Sequence, residues 1–433
     1  MKETNINLKE LQKKHNLDEL EIYSQSASSQ KILFTANELK QMEAQDSNGI
    51  ALRLLNNKKI GFTASFGKYN LDEMIKQTLE VSKFSPEIEV SFPSLKKIEN
   101  SKEQADINIL SEFKEKGESI INAILKEAPG VLVDVSFDSN ITKEEVNNSK
   151  GLNYIHSSSI YSFSINLRET LENDFIDIFT ASVDNTIPDH IEYTKEILSY
   201  YKLLKKHAKI KNGSYPLLFT SKAAKDLLNI IELALNGNQV NEKSSPWHNK
   251  LGKKILSSLI TLKQDPKAGY MARSIDDEGN EVKKLTLVNN GILESFYFDL
   301  VSACRGLPGQ VSTGNGFKDS LEAQPAPNLL NLIVSNGKRS LDKIIKDIKY
   351  GLLIDQTMGG LSTNISGDFS VNVDVGFLIE NGELIGRVKD TMISGNIYNA
   401  LNSVIELSNN PQWHWSNIYN PDMLLGGFTV TAQ

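Results

Sequence analysis

Residues 351–396, GLLIDQTMGGLSTNISGDFSVNVDVGFLIENGELIGRVKDTMISGN, decide how the C-terminal part of this chain folds. The apolar run at 351–354 predicts a buried strand. The glycines at 359 and 360 predict a sharp corner after it, because glycine reaches positive φ without steric cost. Alternating apolar and polar residues at 369–375 predict a half-buried second strand. Asn381-Gly382 between two apolar runs predicts a hairpin and a third strand.

Small polar residues lie between the glycine corner and the long strand, and they allow two interpretations. Such residues stabilise turns by bonding to their own backbone, so turn structure is the simpler one. The alternative is a binding surface, because exposed backbone in a glycine-rich corner is accessible to a ligand or another chain. The candidate binding residues are Gly359, Gly360, Asn364, Gly367, Asp368 and Ser370.

Length and composition restrict the class of protein. A chain of 433 residues with 39% hydrophobic and 23% charged residues is typical of a soluble protein with two or three domains. The net charge of −7 argues against a nucleic-acid-binding surface. No apolar stretch approaches the roughly 20 residues of a membrane span, and no secretory signal is recognisable. The single cysteine fits a reducing compartment, so we expect a cytoplasmic protein.

Strand and helix signals alternate in the first half of the chain. Helical spacing predicts helices at 71–82, 105–128 and 187–207. Small polar residues predict turns at 47–49 and 149–151. This order predicts a mixed sheet with helices on one side. Apolar alternation predicts strands at 20–24, 32–35, 50–55, 60–65, 131–137, 144–148, 161–167 and 176–183.

The best domain boundary is the turn-forming segment at 212–216. A helix with Ser221 as its N-cap is predicted at 221–235. Strand signals dominate after it and include a second hairpin, at Asn290-Gly291. The predicted fold class is therefore α+β. An N-terminal mixed α/β layer domain (1–211) is followed by a β-rich C-terminal domain (212–433).

The residue chemistry alone reveals no active site. The chain has no Gly-x-Ser-x-Gly motif of a serine hydrolase. Its six histidines are scattered, and no two have metal-ligand spacing within one element. Cys304 could be a nucleophile, but a lone cysteine among small and apolar residues is more often inert.

The order of several short motifs resembles that of the TldD/PmbA family, whose members are described as modulators of DNA gyrase. Each motif is weak alone, but together they extend along nearly the whole chain. The motifs are SNGIALR at 47–53, GFTAS at 61–65, SKG at 149–151, FDLVSACR at 298–305, STGN at 312–315 and the stretch from 351 to 383.

The family has two branches, which differ in one helix. In the TldD branch, this helix carries His-Glu-x-x-x-His, with two zinc ligands and the catalytic glutamate, and a cysteine near the C-terminus completes the site. In the corresponding helix of this chain, Asn229 and Ala234 occupy the histidine positions and Ile230 the glutamate position. The sequence after Trp415 has no cysteine. The chain therefore resembles the other branch, TldE or PmbA.

The resemblance implies a non-catalytic subunit of a cytoplasmic zinc metalloprotease. The zinc is expected in a TldD-like HExxxH partner, with which this chain would form a heterodimer; the isolated chain could form a homodimer. This subunit would enclose unfolded peptides and hold them extended, and the candidate binding residues at 359–370 become its predicted peptide contacts. A strand edge beside a glycine corner suits backbone recognition.

Two alternatives remain open. One is an independent hydrolase with an unrecognised site, for example a homodimer that uses Cys304 or a surface His/Glu pair. The other is a regulatory or binding protein linked to DNA gyrase. The net charge of −7 argues against direct contact with DNA by such a regulatory protein.

Overall fold

The computed structural model describes residues 7–94, 109–172, 174–306, 309–361, 364–414 and 416–432. The predicted α+β class is confirmed, with a helix-covered sheet in the first half and a β-rich second half. In the first half the elements are α1 (Leu8–Lys14), β1 (Glu19–Thr35), β2 (Glu38–Asn56), β3 (Lys59–Phe66), α2 (Leu71–Ser82), α3 (Leu110–Glu127), β4 (Leu132–Asn148), β5 (Asn153–Leu171), β6 (Asp174–Asp184) and α4 (His190–Leu204).

The second half contains many short strands. They are β7 (His207–Ala208), β8 (Gly213–Phe219), β9 (Leu262–Gln264), β10 (Leu285–Asn289), β11 (Ile292–Leu293), β12 (Gly316–Phe317), β13 (Ala326–Pro327), β14 (Leu332–Val334), β15 (Tyr350–Thr357), β16 (Asp368–Glu380), β17 (Glu383–Val388), β18 (Thr391–Asn396), β19 (Val404–Leu407), β20 (Gln412–Trp413), β21 (Ile418–Asn420) and β22 (Met423–Ala432). Its helices are α5 (Ser221–Leu235), α6 (Gly237–Asn241), α7 (Leu300–Arg305), α8 (Leu341–Asp347) and α9 (Ile397–Asn402).

The sheet of the first half has the order β3-β2-β1-β4-β5-β6, and every neighbouring pair is antiparallel. The predicted mixed sheet is therefore wrong. The predicted helices on one side are confirmed, because α2 packs on Leu20 and Ile22 while α3 packs on Ile32 and Phe34. These four residues alternate along β1, which places them on one face of the strand.

The turn predicted at residues 47–49 is also wrong, because these residues lie inside β2. Gly49 pairs with Gln25 on one side and with Phe66 on the other. A Cβ at Gly49 would lie 2.3 Å from the Leu321 side chain, so the glycine allows the second half of the chain to approach the strand closely. Tertiary packing, not turn geometry, explains this glycine.

The two halves share hydrophobic cores. Tyr23 and Ala51 of the first half pack with Ile275 and Leu321 of the second. A second shared core joins residues of α3 and α4 to the apolar face of β15 and β16. The short strand β7 pairs in parallel with β17. We propose that the domain boundary lies between residues 211 and 212. β7 then belongs to the first half of the chain and pairs with a strand of the second half.

In the second half, five strands close into a ring. The order β15-β8-β22-β18-β16 returns to β15 through the β15–β16 pairing. Helix α5 is confirmed at its predicted position, but its N-cap is Thr220, whose side chain accepts from the Ala223 amide. Both Asn-Gly hairpins are confirmed, with positive φ at Asn290, Gly291, Asn381 and Gly382. Among the described helices, none has the length and apolar character needed to cross a membrane.

Candidate functional site

The ring of strands opens at one seam, between β15 and β16. β15 pairs with residues 373–380 of β16 and ends at Thr357. On the opposite edge of β16, residues 368–372 pair with β18. Among the described residues, no strand pairs with 368–371 on the edge that β15 has left. The corner named in the sequence analysis therefore lies beside a short open strand edge.

Gly359 and Gly360 form the corner that carries β15 away from β16. Their φ values are 75° and 74°, the left-handed region that favours glycine. A Cβ at Gly359 would meet no atom within 4 Å, and one at Gly360 would lie 3.7 Å from an Asp226 carboxylate oxygen of α5. Backbone conformation, not crowding, therefore requires the glycines. The predicted corner therefore lies next to α5, the helix that carries Asn229, Ile230 and Ala234.

Asn364, Gly367 and Asp368 shape the return to β16. The Asn364 side-chain oxygen accepts from the Ser366 amide at 3.1 Å, and Gly367, with φ 77°, packs where a Cβ would lie 2.8 Å from the Tyr398 ring. The Asn396 side-chain amide donates to Asp368 at 2.9 Å. These contacts are turn chemistry, the simpler of the two interpretations.

Ser370 lies on the exposed side of β16. Its hydroxyl lies 2.9 Å from the sulfur of Met392 on β18. Met392 and Met358, which flank this part of the strand, are 40% and 60% exposed. Peptide contact by Ser370 and by the other predicted residues of the corner remains a prediction.

Asn229, Ile230 and Ala234 of α5, the residues at the positions of the family's metal motif, differ in their exposure to solvent. Asn229 is exposed, whereas Ile230 and Ala234 are 3% and 0% exposed within the apolar core. Isoleucine and alanine have no donor atom for a metal, so these residues do not fit a zinc site. In the described ranges, no group of three His, Cys, Asp or Glu residues is placed to hold a metal ion.

Glu232 is one of two carboxylates on α5, the other being Asp226, and its side chain is hydrogen-bonded within the protein. Its side chain accepts from the Asn417 amide at 3.0 Å. Burial raises the pKa of Glu232 to about 7, and the hydrogen bond from Asn417 opposes this rise only in part. The group therefore titrates near neutral pH.

Two other groups bear on nucleophilic chemistry. Cys304 is exposed, with its sulfur 3.2 Å from the Glu89 carbonyl oxygen. The Ser221 hydroxyl lies 2.6 Å from His414 Nε2. Burial, together with Lys222 and Lys225, lowers the pKa of His414 to about 3, so the imidazole is neutral at pH 7. Ser221 is only 4% exposed, so a substrate cannot reach its hydroxyl in this conformation.

A buried ion cluster that joins the two halves was missed by the sequence analysis. Arg53 of β2 donates to Glu21 at 3.0 Å through Nε and to Glu278 at 2.8 Å through Nη1, and its Nη2 lies 2.9 Å from the same Glu21 oxygen as an ion-pair contact. The three side chains are 4%, 3% and 0% exposed in that order. Burial raises the pKa of Glu278 to about 8 and also raises the pKa of Glu21. The cluster thus binds the first sheet to the segment around 278.

A second arginine, whose side chain is 10% exposed, extends the same connection. Arg273 contacts Asp277 at 2.9 Å and Glu144 of β4 at 3.2 Å. One signal in the sequence could have revealed the cluster, the run Asp276-Asp277-Glu278-Gly279. Three consecutive acids are costly to bury unless cations pair with them, so the run indicates partners elsewhere in the chain.

Two clefts lie away from the corner. One, of about 390 Å³, lies between α4 and the 410–419 segment. The other, of about 750 Å³, lies on the first sheet. Neither includes a residue of the 359–370 corner in its lining. The candidate site is thus defined by its open strand edge, residues 368–371, and by the glycine corner beside it.

Two family models match the chain. The PmbA/TldA metallopeptidase C-terminal domain matches residues 212–432, just over half of the chain, and the PmbA/TldA metallopeptidase domain 1 matches residues 20–82. The fold and the family match over residues 212–432 thus define an α+β protein of a metallopeptidase family. The chain belongs to the PmbA/TldD metallopeptidase family, and the resemblance noted in the sequence is confirmed.

Curated relatives bear metalloprotease names from both branches. The Metalloprotease TldD homolog of Buchnera aphidicola subsp. Acyrthosiphon pisum is 34% identical over 187 residues, 42% of this chain and 38% of the relative. The Metalloprotease PmbA homolog of Buchnera aphidicola subsp. Baizongia pistaciae is 27% identical over 283 residues, 63% of this chain and 59% of the relative. These matches thus span less than two thirds of either relative's length.

Solved structures share the fold along the whole chain. TldE from Thermococcus kodakarensis has a TM-score of 0.90 at 24% identity and covers 98% of this chain and 99% of its own. A Thermotoga maritima protein whose name links it to DNA gyrase has a TM-score of 0.86 at 22% identity, with 98% of both chains covered. At these identities the likeness establishes the fold alone.

Proposed function

We propose that this chain is the TldE/PmbA-type, metal-free subunit of a cytoplasmic two-subunit zinc metalloprotease. A homologous HExxxH-bearing subunit supplies the zinc and the catalytic glutamate. This chain encloses the active site with its partner and holds unfolded peptides in extended form. The open edge at 368–371 and the glycine corner are the surfaces that would meet the peptide backbone.

One observation carries this proposal. In a family of metallopeptidases, α5 has Asn229 exposed and Ile230 and Ala234 within the core, where a metal site needs donor atoms. Isoleucine cannot act as a general base, and neither apolar side chain can bind zinc. A chain of this family that keeps the fold but lacks the donors is suited to complete a site that another subunit holds.

A peptidase assay with and without the partner tests the proposal. The purified chain, the HExxxH homologue of the same organism and their mixture are each given an unfolded peptide, with and without a chelator. We expect the mixture to cleave the peptide, the chelator to abolish cleavage, and the chain alone to be inactive and free of stoichiometric zinc. One zinc per chain by metal analysis, or cleavage by the chain alone, would contradict the assignment.

The independent hydrolase is less well supported. Its best candidate pair, Ser221 and His414, is closed to substrate because Ser221 is only 4% exposed. Cys304 is exposed but contacts a backbone carbonyl and no described histidine. A link to DNA gyrase has support from the names of two solved relatives, and strong salt-dependent DNA binding by the pure chain would favour it.

A further inference from the structure

The outer part of the β1–β2 hairpin presents an open strand edge. β3 pairs only with residues 49–56 of β2, so residues 38–48 pair with β1 on one side and with no described strand on the other. The pairing of this segment with β1 has one irregularity, between Leu39 and Gln41. From Gln41 to Asn48 the pairing is continuous. Every residue from 38 to 48 except Gln41 is exposed. Such an edge is a template for a further strand.

Apolar side chains flank this edge. Met42 is 45% exposed, and Phe66, the last residue of β3, is 54% exposed. β3 ends where the open edge begins, because Phe66 pairs with Gly49 and the Gly67 amide donates to the Asn48 carbonyl at 3.1 Å. An added strand at 41–48 would continue the line of β3 and cover both apolar side chains.

The chain covers the opposite edge of the same sheet and leaves this one unprotected. At the β6 edge, the Phe179 amide donates to Gln356 at 3.0 Å, and Arg387 donates to the Phe175 carbonyl at 2.9 Å. Free edges are usually short or carry proline and several charges. Residues 41–48 have no proline, and their charges are Glu43 and Asp46. This edge therefore lacks the usual protection against strand addition.

We propose that residues 41–48 of β2 pair with a strand of a homologous subunit that carries basic side chains opposite Glu43 and Asp46. The inference rests on the two-subunit function proposed above and names its contact surface. A homologue of the same fold has an equivalent hairpin, because solved relatives match 98% of this chain or more with TM-scores of 0.86 to 0.90. Two such edges can join antiparallel about a pseudo-two-fold axis.

A second copy of this chain fits the edge less well. If residues 41–48 of two copies paired about a two-fold axis, Glu43 and Asp46 of both copies would lie in two adjacent strands. Four carboxylates would then be close together. A pairing centred on Glu43 places that residue opposite its own copy, and like charges directly opposite destabilise a strand pair. The acidic edge therefore favours a different chain with basic side chains.

Amide hydrogen exchange and binding measurements test the inference. We expect the amides of 41–48 that exchange freely in the chain alone to gain roughly tenfold protection or more in the mixture with the HExxxH homologue. We expect Glu43→Lys/Asp46→Lys to weaken association about tenfold. The matched control is Glu242→Lys/Glu383→Lys, which makes the same charge change at two exposed sites in the second half of the chain and should leave the dissociation constant within about twofold.

Each other outcome is decisive. A mixture that cleaves peptide without new protection at 41–48 would overturn the docking edge and leave the proposed function intact. A mixture that neither associates nor cleaves would overturn both. Protection of 41–48 in the concentrated chain alone, or on addition of an unfolded peptide, would overturn the choice of a homologous subunit as the occupant.

Discussion

Replacement of Arg53 by methionine should destabilise the protein strongly at neutral pH. Arg53 is 4% exposed, donates to Glu21 at 3.0 Å and to Glu278 at 2.8 Å, and has a further ion-pair contact with Glu21 at 2.9 Å. Its guanidinium also lies 4.7 Å from the centre of the Phe92 ring. Methionine keeps much of the apolar contact but leaves two buried carboxyl groups without their cation. Removing one partner of a buried pair costs about 3–5 kcal/mol.

The loss should depend on pH. Burial raises the pKa of Glu278 to about 8 and also raises that of Glu21, and Arg53 opposes both shifts. A carboxyl group whose pKa is raised by folding stabilises the fold at low pH, and this contribution is lost as the pH rises through the folded pKa. Without Arg53 the pKa of Glu21 rises further. The deficit relative to the native chain should therefore be smaller at pH 5 than at pH 7.

Urea unfolding at pH 5 and pH 7 measures both effects. Lys83→Met is the matched control, because Lys83 and its partner Glu80 have side chains that are 63% and 70% exposed. We expect this control to leave the unfolding midpoint unchanged. Glu278→Gln, which mimics the protonated carboxyl group, should cost much less than Arg53→Met at pH 7. A loss below about 1 kcal/mol for Arg53→Met, or the same loss at both pH values, would refute the reasoning.

Three further predictions concern the second half of the chain. Gly360→Val forces a β-branched residue to φ 74° at a local cost of about 1–2 kcal/mol and should lower kcat/KM of the mixture for peptide, whereas Gly130→Val, at φ 97° and away from the corner, should not. Unchanged turnover would make the corner purely structural. Cys304→Ser should keep turnover within about twofold, because the thiol is not used; complete loss with normal folding would indicate thiol chemistry. Glu232→Gln should stabilise the fold at pH 8 relative to pH 5 by about 1–2 kcal/mol, because burial raises the pKa of Glu232 to about 7 and ionisation is unfavourable above it. Thermal unfolding at both pH values checks this, and equal shifts would contradict it.

The local elements could be predicted where one short signal decides them. Asn381-Gly382 adopts positive φ at both residues, as the hairpin signal requires. Helix α5 occupies its predicted residues because its apolar side chains recur at helical spacing. The N-cap differs because Ser221 is held by His414 and Asp422, so the residue before it takes that position.

Longer-range features could not be predicted, because their causes lie elsewhere in the chain. Residues 47–49 have the composition of a turn, yet all three pair with β1, and Gly49 also pairs with β3, so they lie within a continuous strand. The sheet is antiparallel because β4, after two helices, returns beside β1 in the antiparallel direction. Short polar segments specify turns only weakly when neighbouring strands are available.

The sequence by itself determined the family, the hairpins and the absence of histidine and glutamate at positions 229, 230 and 234, because these depend on residue identity and local spacing. Only the tertiary structure decided which polar groups are engaged and which edges are open. It joins Arg53 to Glu278, 225 residues away in the chain. It also covers the β6 edge and leaves residues 41–48 free of a described partner strand. Burial, charge pairing and edge exposure depend on distant segments, and no local pattern contains that information.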